Sequence, residues 1–386
     1  MKLQARTVLF YGIISLIIFE AFNSFGLRNS VFKLLKYLIT LIVFLICAND
    51  IKNDLKEKKS LDYIFELKRI AIVLVVFFSI SIFKVYQVKV FTYKTIEELM
   101  QLTIPFVYTF FIINFMSLED IMKLMKYVLG LSLIAYVLSI GLDKFTIANF
   151  LSISFFNSYS PFESADFAEI SSSLSAFFIY YRKKSPKAAI ISFIFCFLVF
   201  KRMLLLQLFV LAFISILNLS DKKVNNIVMW GTKFFFIIST FFFYFLLKQE
   251  NSWLFNKYTG MDIGDFTMGR VYRLWYPLKE YVSYGFGSTS NVLGHNLELD
   301  LIKILIEIGV IGLIIFICCY LDLARNNFYS FVIMGGIFGN LLFASCLTST
   351  VGWIFRLICI AAIFYKRDEL NCNEDENTEY IGNEYI

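Results

Sequence analysis

Apolar runs long enough to cross a bilayer recur from one end of this chain to the other, and nothing else constrains its fold as much. They fall at about 7–23, 31–48, 70–87, 96–117, 124–142, 166–181, 188–200, 203–219, 227–247, 297–320, 328–346 and 350–366. A helical span takes about 20 apolar residues. Lipid offers backbone amides no partner, so such segments must satisfy their own hydrogen bonds as helices. The 386 residues are 59% apolar and 17% charged, against about 45–50% and about 25% in soluble domains. The expectation is an all-α integral membrane protein with about twelve transmembrane helices. It comprises one polytopic domain over 1–366 and an acidic tail over 367–386. This excludes a soluble enzyme, a disordered chain and a nucleic-acid binder.

Charge sets the expected orientation. Lys and Arg gather in the segments that become cytoplasmic when the N-terminus is placed inside: Lys2 and Arg6, the bases between Lys52 and Arg69, Lys123 and Lys126, the Arg182–Lys187 cluster, Lys222-Lys223, Arg325 and Lys366-Arg367. The positive-inside rule then predicts an even number of spans with both termini in the cytoplasm. Two longer loops remain outside, at about 143–165 and 248–295. Loops beyond about 12–15 residues are uncommon unless they serve a function or are disordered. The second is rich in aromatics, which argues against disorder. Within it, Val271, Leu274, Trp275 and Leu278 share one helical face, which predicts a short amphipathic helix at the membrane surface. The seventh and eighth apolar runs meet at Lys201-Arg202, read as two short helices with the basic pair at their apex. The cysteines show no metal or disulfide spacing and read as small core residues.

Few residues are left to do chemistry. His295 is the single histidine, able to take or give a proton near neutral pH. It reads either as a general base or as an interfacial cap on the next helix. That helix carries Glu298, Asp300, Lys303 and Glu307. Charges at membrane depth face a polar cavity or one another, so Lys303 with Glu307 also reads as a structural ion pair. Arg202, Arg270 and Arg273 are outward-facing guanidinium groups suited to phosphate; for Arg273 a lipid headgroup is the plainer partner. Arg356, deep in the last span, calls for a buried acid such as Glu20. The sequence has no DxD pair, P-loop, GxGxxG, GxSxG or HExxH, so neither a metal nor a cofactor is expected.

From Met268 to Phe316 the chain resembles the O-antigen polymerase and O-antigen ligase superfamily. The motif elements are Gly269-Arg270, Trp275, Gly285-Phe-Gly287, His295-Asn296 and Glu307-Ile-Gly309-Val-Ile-Gly312, in the family's order and after a large outer loop. Lys201-Arg202 resembles the family's Arg at the outer end of a middle helix. The chain departs from the pattern in its first loop, where Asn157–Asp166 lacks an Arg, and in the eleven residues between Arg273 and Gly285.

The resemblance implies a fold like that of the GT-C-like polyprenyl-sugar transferases and a Wzy-type polymerase activity. A growing glycan passes from undecaprenyl pyrophosphate to a sugar hydroxyl of another lipid-linked repeat unit, with inversion and without metal. This places the protein in O-antigen or capsule synthesis, in the bacterial inner membrane, with its active site facing the periplasm. His295 and Glu307 are the implied catalytic pair. Arg202, Arg270 and Arg273 would bind the pyrophosphate, and Glu163, Asp166, Glu169 and Asn296 the acceptor glycan. Membrane lipid and a chain-length regulator are the other partners implied. An O-antigen ligase, attaching polymer to lipid A core, shares the chemistry. A polysaccharide flippase is the alternative of another class, weighed down by the absence of visible repeated halves.

Overall fold

The computed structural model describes residues 2–26, 30–56, 60–154, 160–280 and 283–367, all of it helix, turn or loop apart from one isolated bridge residue. The acidic tail from 368 onward, Cys372 and residues 155–159 of the 143–165 loop lie outside the described residues. In chain order the helices are α1 (Lys2–Ser24), α2 (Ser30–Lys56), α3 (Ile64–Val88), α4 (Tyr93–Phe115), α5 (Leu118–Ile140) and α6 (Ile147–Leu151). Then come α7 (Ala165–Tyr180), α8 (Pro186–Val199), α9 (Arg202–Ile216), α10 (Asn226–Leu247), α11 (Ser252–Thr259) and α12 (Ile263–Phe266). The last are α13 (Arg270–Glu280), α14 (Ser288–Leu293), α15 (Asp300–Glu307), α16 (Val310–Leu321), α17 (Phe328–Phe343) and α18 (Thr350–Tyr365).

Each expected apolar segment is helical. Six of the helices, α1 to α5 and α10, are long and apolar enough to cross a membrane, and five shorter apolar helices accompany them. The segment expected as one span at 297–320 is two helices, α15 and α16. The break falls at Gly309, whose φ of +89° lies where only glycine is comfortable. Apolar side chains such as Leu38, Leu45, Val75, Phe78, Phe235 and Phe242 are exposed along α2, α3 and α10. Water would penalise such faces, whereas lipid accepts them, so the chain is a helical membrane protein.

The chain divides into two compact units. One comprises residues 1–65, 105–221 and 351–386. Its centre is α7, which packs on α8, α9 and α5 and buries Phe167, Leu174, Phe177 and Phe178. The α8–α9 hairpin turns at Phe200, in left-handed geometry at φ +54°, with Lys201 and Arg202 at its tip as expected. The other unit comprises residues 66–104 and 222–350. Here α15 packs on α10, α14, α16 and α17. Two cations inside its helices share one acid. Arg69 on α3 and Lys233 on α10 both reach Asp322, at 2.6 Å and 2.7 Å.

Candidate functional site

In the second unit the long loop at about 248–295 is tied down by its own residues. In α13, Val271 and Leu274 are fully buried while Tyr272 is exposed, so the amphipathic helix expected from the sequence forms. The indole N–H of Trp275 donates to the carbonyl of Leu247, the last residue of α10, which fixes α13 at the end of that span.

The first turns of α13 present two guanidinium groups to one carboxylate. Arg270 Nε–H donates to Glu298 Oε2 at 3.0 Å, and Arg273 donates to Glu298 Oε1 at 2.6 Å. Burial opposes ionisation of Glu298, but the hydrogen bonds from Arg270 and Arg273 outweigh it and hold the carboxyl below the usual carboxylate range. Glu298 itself adopts φ +62°, a conformation costly for a residue with a side chain. Two cations on one anion leave a net positive charge at a partly exposed position. Glu298 was legible as an acid but not as the arginines' partner, because no helical or strand spacing relates residues 270 and 298.

His295 lies three residues before Glu298 and is exposed. Its Nδ1 is 2.7 Å from the carbonyl oxygen of Leu293, the last residue of α14. A carbonyl only accepts, so a proton sits on Nδ1, and in the neutral ring Nε2 is the acceptor. The histidine does not cap the following helix, which begins at Asp300. Asn296 is held from both sides: its amide donates to Thr348 Oγ1 at 3.2 Å, and its oxygen accepts from Ser290 at 3.4 Å.

Glu307 is fully buried. Its carboxylate accepts the backbone N–H of Gly287 at 2.8 Å, that of Thr289 at 2.7 Å, and the Thr289 hydroxyl. It makes no hydrogen bond to His295 among the described residues. Gly287 and Glu307, two elements of the motif series, thus meet in space. The Gly285–Gly287 turn is wedged against neighbouring helices. A Cβ on Gly285 would fall 2.8 Å from the backbone of Ser81 on α3, and one on Gly287 would fall 3.0 Å from the Lys94 carbonyl on α4. Phe286 between them donates its N–H to Ser81 Oγ at 3.0 Å.

The ion pair expected between Lys303 and Glu307 does not form. Lys303 instead pairs with Glu98 of α4, because the Glu307 oxygens are taken by the 287–289 backbone. Asp300 also serves the backbone, accepting the N–H groups of Cys346 and Leu347 at 2.6 Å and 2.7 Å.

The remaining expected site residues belong to the first unit. Lys201 forms an ion pair with Glu163 beside Arg202, which is exposed at the hairpin tip. Asp166 is exposed in the first turn of α7. Glu169 faces inward and lies 3.5 Å from Arg356 of α18, whose guanidinium also stacks over Trp353. The buried acid required by Arg356 is therefore Glu169. Glu20 pairs with Lys36 instead, at 4.0 Å.

The residues offer no metal centre among those described. The chain matches no family model, no curated protein sequence and no solved structure.

Proposed function

We propose that this protein is a Wzy-type polysaccharide polymerase of the bacterial inner membrane, with both termini in the cytoplasm and its active site on the outer face. It transfers a growing glycan from undecaprenyl pyrophosphate to a sugar hydroxyl on another lipid-linked repeat unit, inverting the anomeric centre. The observation that carries this reading is the chemistry gathered around residues 295–298. An exposed histidine has its Nδ1–H held by the Leu293 carbonyl. Three residues on, one carboxylate holds two arginines in place.

Nε2 of His295 takes the proton of the acceptor hydroxyl as its oxygen attacks the anomeric carbon. The bond to the pyrophosphate oxygen breaks, and the negative charge on that leaving group is met by Arg270 and Arg273. Glu298 holds those side chains in place before substrate arrives, which lowers the ordering cost of binding. Asn296, held by Thr348 and Ser290, contacts the acceptor glycan in this reading.

The test is extension of lipid-linked repeats by the purified protein. Products longer than the starting repeat, lost on His295→Ala, support the reading; a purified protein that extends nothing defeats it. In cells, deletion is expected to leave single-repeat glycans. Long chains stranded on the carrier lipid would instead mark a ligase.

A further inference from the structure

Between Glu307 and His295 runs one short helix, and both of its ends are held. At its start, the N–H groups of Gly287 and Thr289 are among those that an α-helix leaves without internal partners. The Glu307 carboxylate takes both, together with the Thr289 hydroxyl. At its other end, the carbonyl of Leu293 accepts the Nδ1–H of His295. In the middle, Ser290 donates to Asn296.

The backbone of Glu307 adds to the grip. Its carbonyl accepts from Lys84 Nζ at 2.8 Å and from Ser283 Oγ at 2.9 Å. The segment from 283 to 289 is thus fastened to one residue through both side chain and main chain. Glu307 is itself fully buried, so water cannot replace the three donors on its carboxyl group.

We propose that Glu307 is a positioning residue for His295. It fixes α14, and α14 presents the Leu293 carbonyl that holds the imidazole in its Nδ1–H form. The catalytic consequence rests on the reading of His295 as the base; the tautomer itself does not.

Because His295 is the only histidine, a protein labelled with ¹⁵N-histidine gives one imidazole spectrum. In the full-length protein in nanodiscs, the neutral ring is expected to show a protonated Nδ1 and a bare Nε2. In Glu307→Ala the Nε2–H form should become the major neutral species. The milder Glu307→Gln retains one acceptor oxygen but puts an amide NH₂ against a backbone donor, and should give a mixture. Wild-type tautomer populations in a folded Gln or Ala variant would overturn the proposal. If the tautomer shifts while extension of lipid-linked repeats is unchanged, the positioning role stands and the base role of His295 falls. If both hold, kcat should drop about tenfold or more in Glu307→Gln with KM little changed, as for loss of base alignment.

Discussion

Lys303 of α15 and Glu98 of α4, 205 positions apart in the sequence, form an ion pair closed off from solvent, with 1% and 0% of their side chains accessible. Two desolvated charges are tolerable only together. Removing one partner should therefore cost more than removing both. Lys303→Met or Glu98→Met alone is expected to destabilise the protein by about 3–5 kcal/mol, and the two together to recover most of that loss. Unfolding of the four proteins in detergent measures the cycle; additive losses would show that the charges do not depend on each other.

The clamp on Glu298 carries a pH signature. Its carboxyl is held below the ordinary range by Arg270 and Arg273, so its stabilising effect is complete above the unfolded value of about 4.3. That effect is lost as pH falls through the lower folded value. The difference in melting temperature between wild type and Glu298→Gln should be constant from neutral pH to about pH 5 and shrink in more acidic buffer. A difference that grows in acid would contradict the sign of the shift.

Arg270 uses its Nε–H on Glu298, a donor that lysine lacks in any equivalent position. Arg270→Lys is therefore expected to lose the clamp geometry as well as forked phosphate binding. In the polymerisation assay, kcat/KM should fall at least tenfold. His295→Ala should fall further, by about 10²–10⁴-fold, the usual worth of a general base. Wild-type turnover in either variant would remove that residue from the proposed mechanism.

Gly285 combines φ +114° with a Cβ position 2.7 Å from the side chain and 2.8 Å from the backbone of Ser81. Neither the conformation nor the neighbour can yield cheaply. Gly285→Ala should cost about 1–3 kcal/mol, read as a lowered melting temperature. Gly130→Ala is the control: nothing lies within 4 Å of its Cβ position and it sits in α5, where alanine is the better helix former. Equal effects of the two would mean that the 285–287 turn is not wedged.

Much of the architecture was legible without coordinates. Apolar runs located the helices, including the α8–α9 hairpin with Lys201-Arg202 at its tip, because a helix in lipid depends on its own composition. The amphipathic period of 271–275 located α13 for the same reason. The break at Gly309 was not legible: Glu307, Gly309 and Gly312 read as one helix with small residues on a face, whereas the positive φ at Gly309 ends it. The site was legible in its parts. His295, Arg270, Arg273 and Glu307 stood out as polar residues in an apolar chain, but the role of Glu298 as a clamp did not.

The sequence by itself determined that this protein is a helical membrane protein, and which few charged and polar residues are available for chemistry. The tertiary structure alone decided their pairing: Lys303 with Glu98 rather than Glu307, Arg356 with Glu169 rather than Glu20, and Glu307 with the Gly287–Thr289 backbone. Burial requires every charge to find an opposite charge or a set of hydrogen bonds. That requirement can be read from composition. Which partner meets it depends on which helices and loops lie side by side, and sequence spacing carries no record of that.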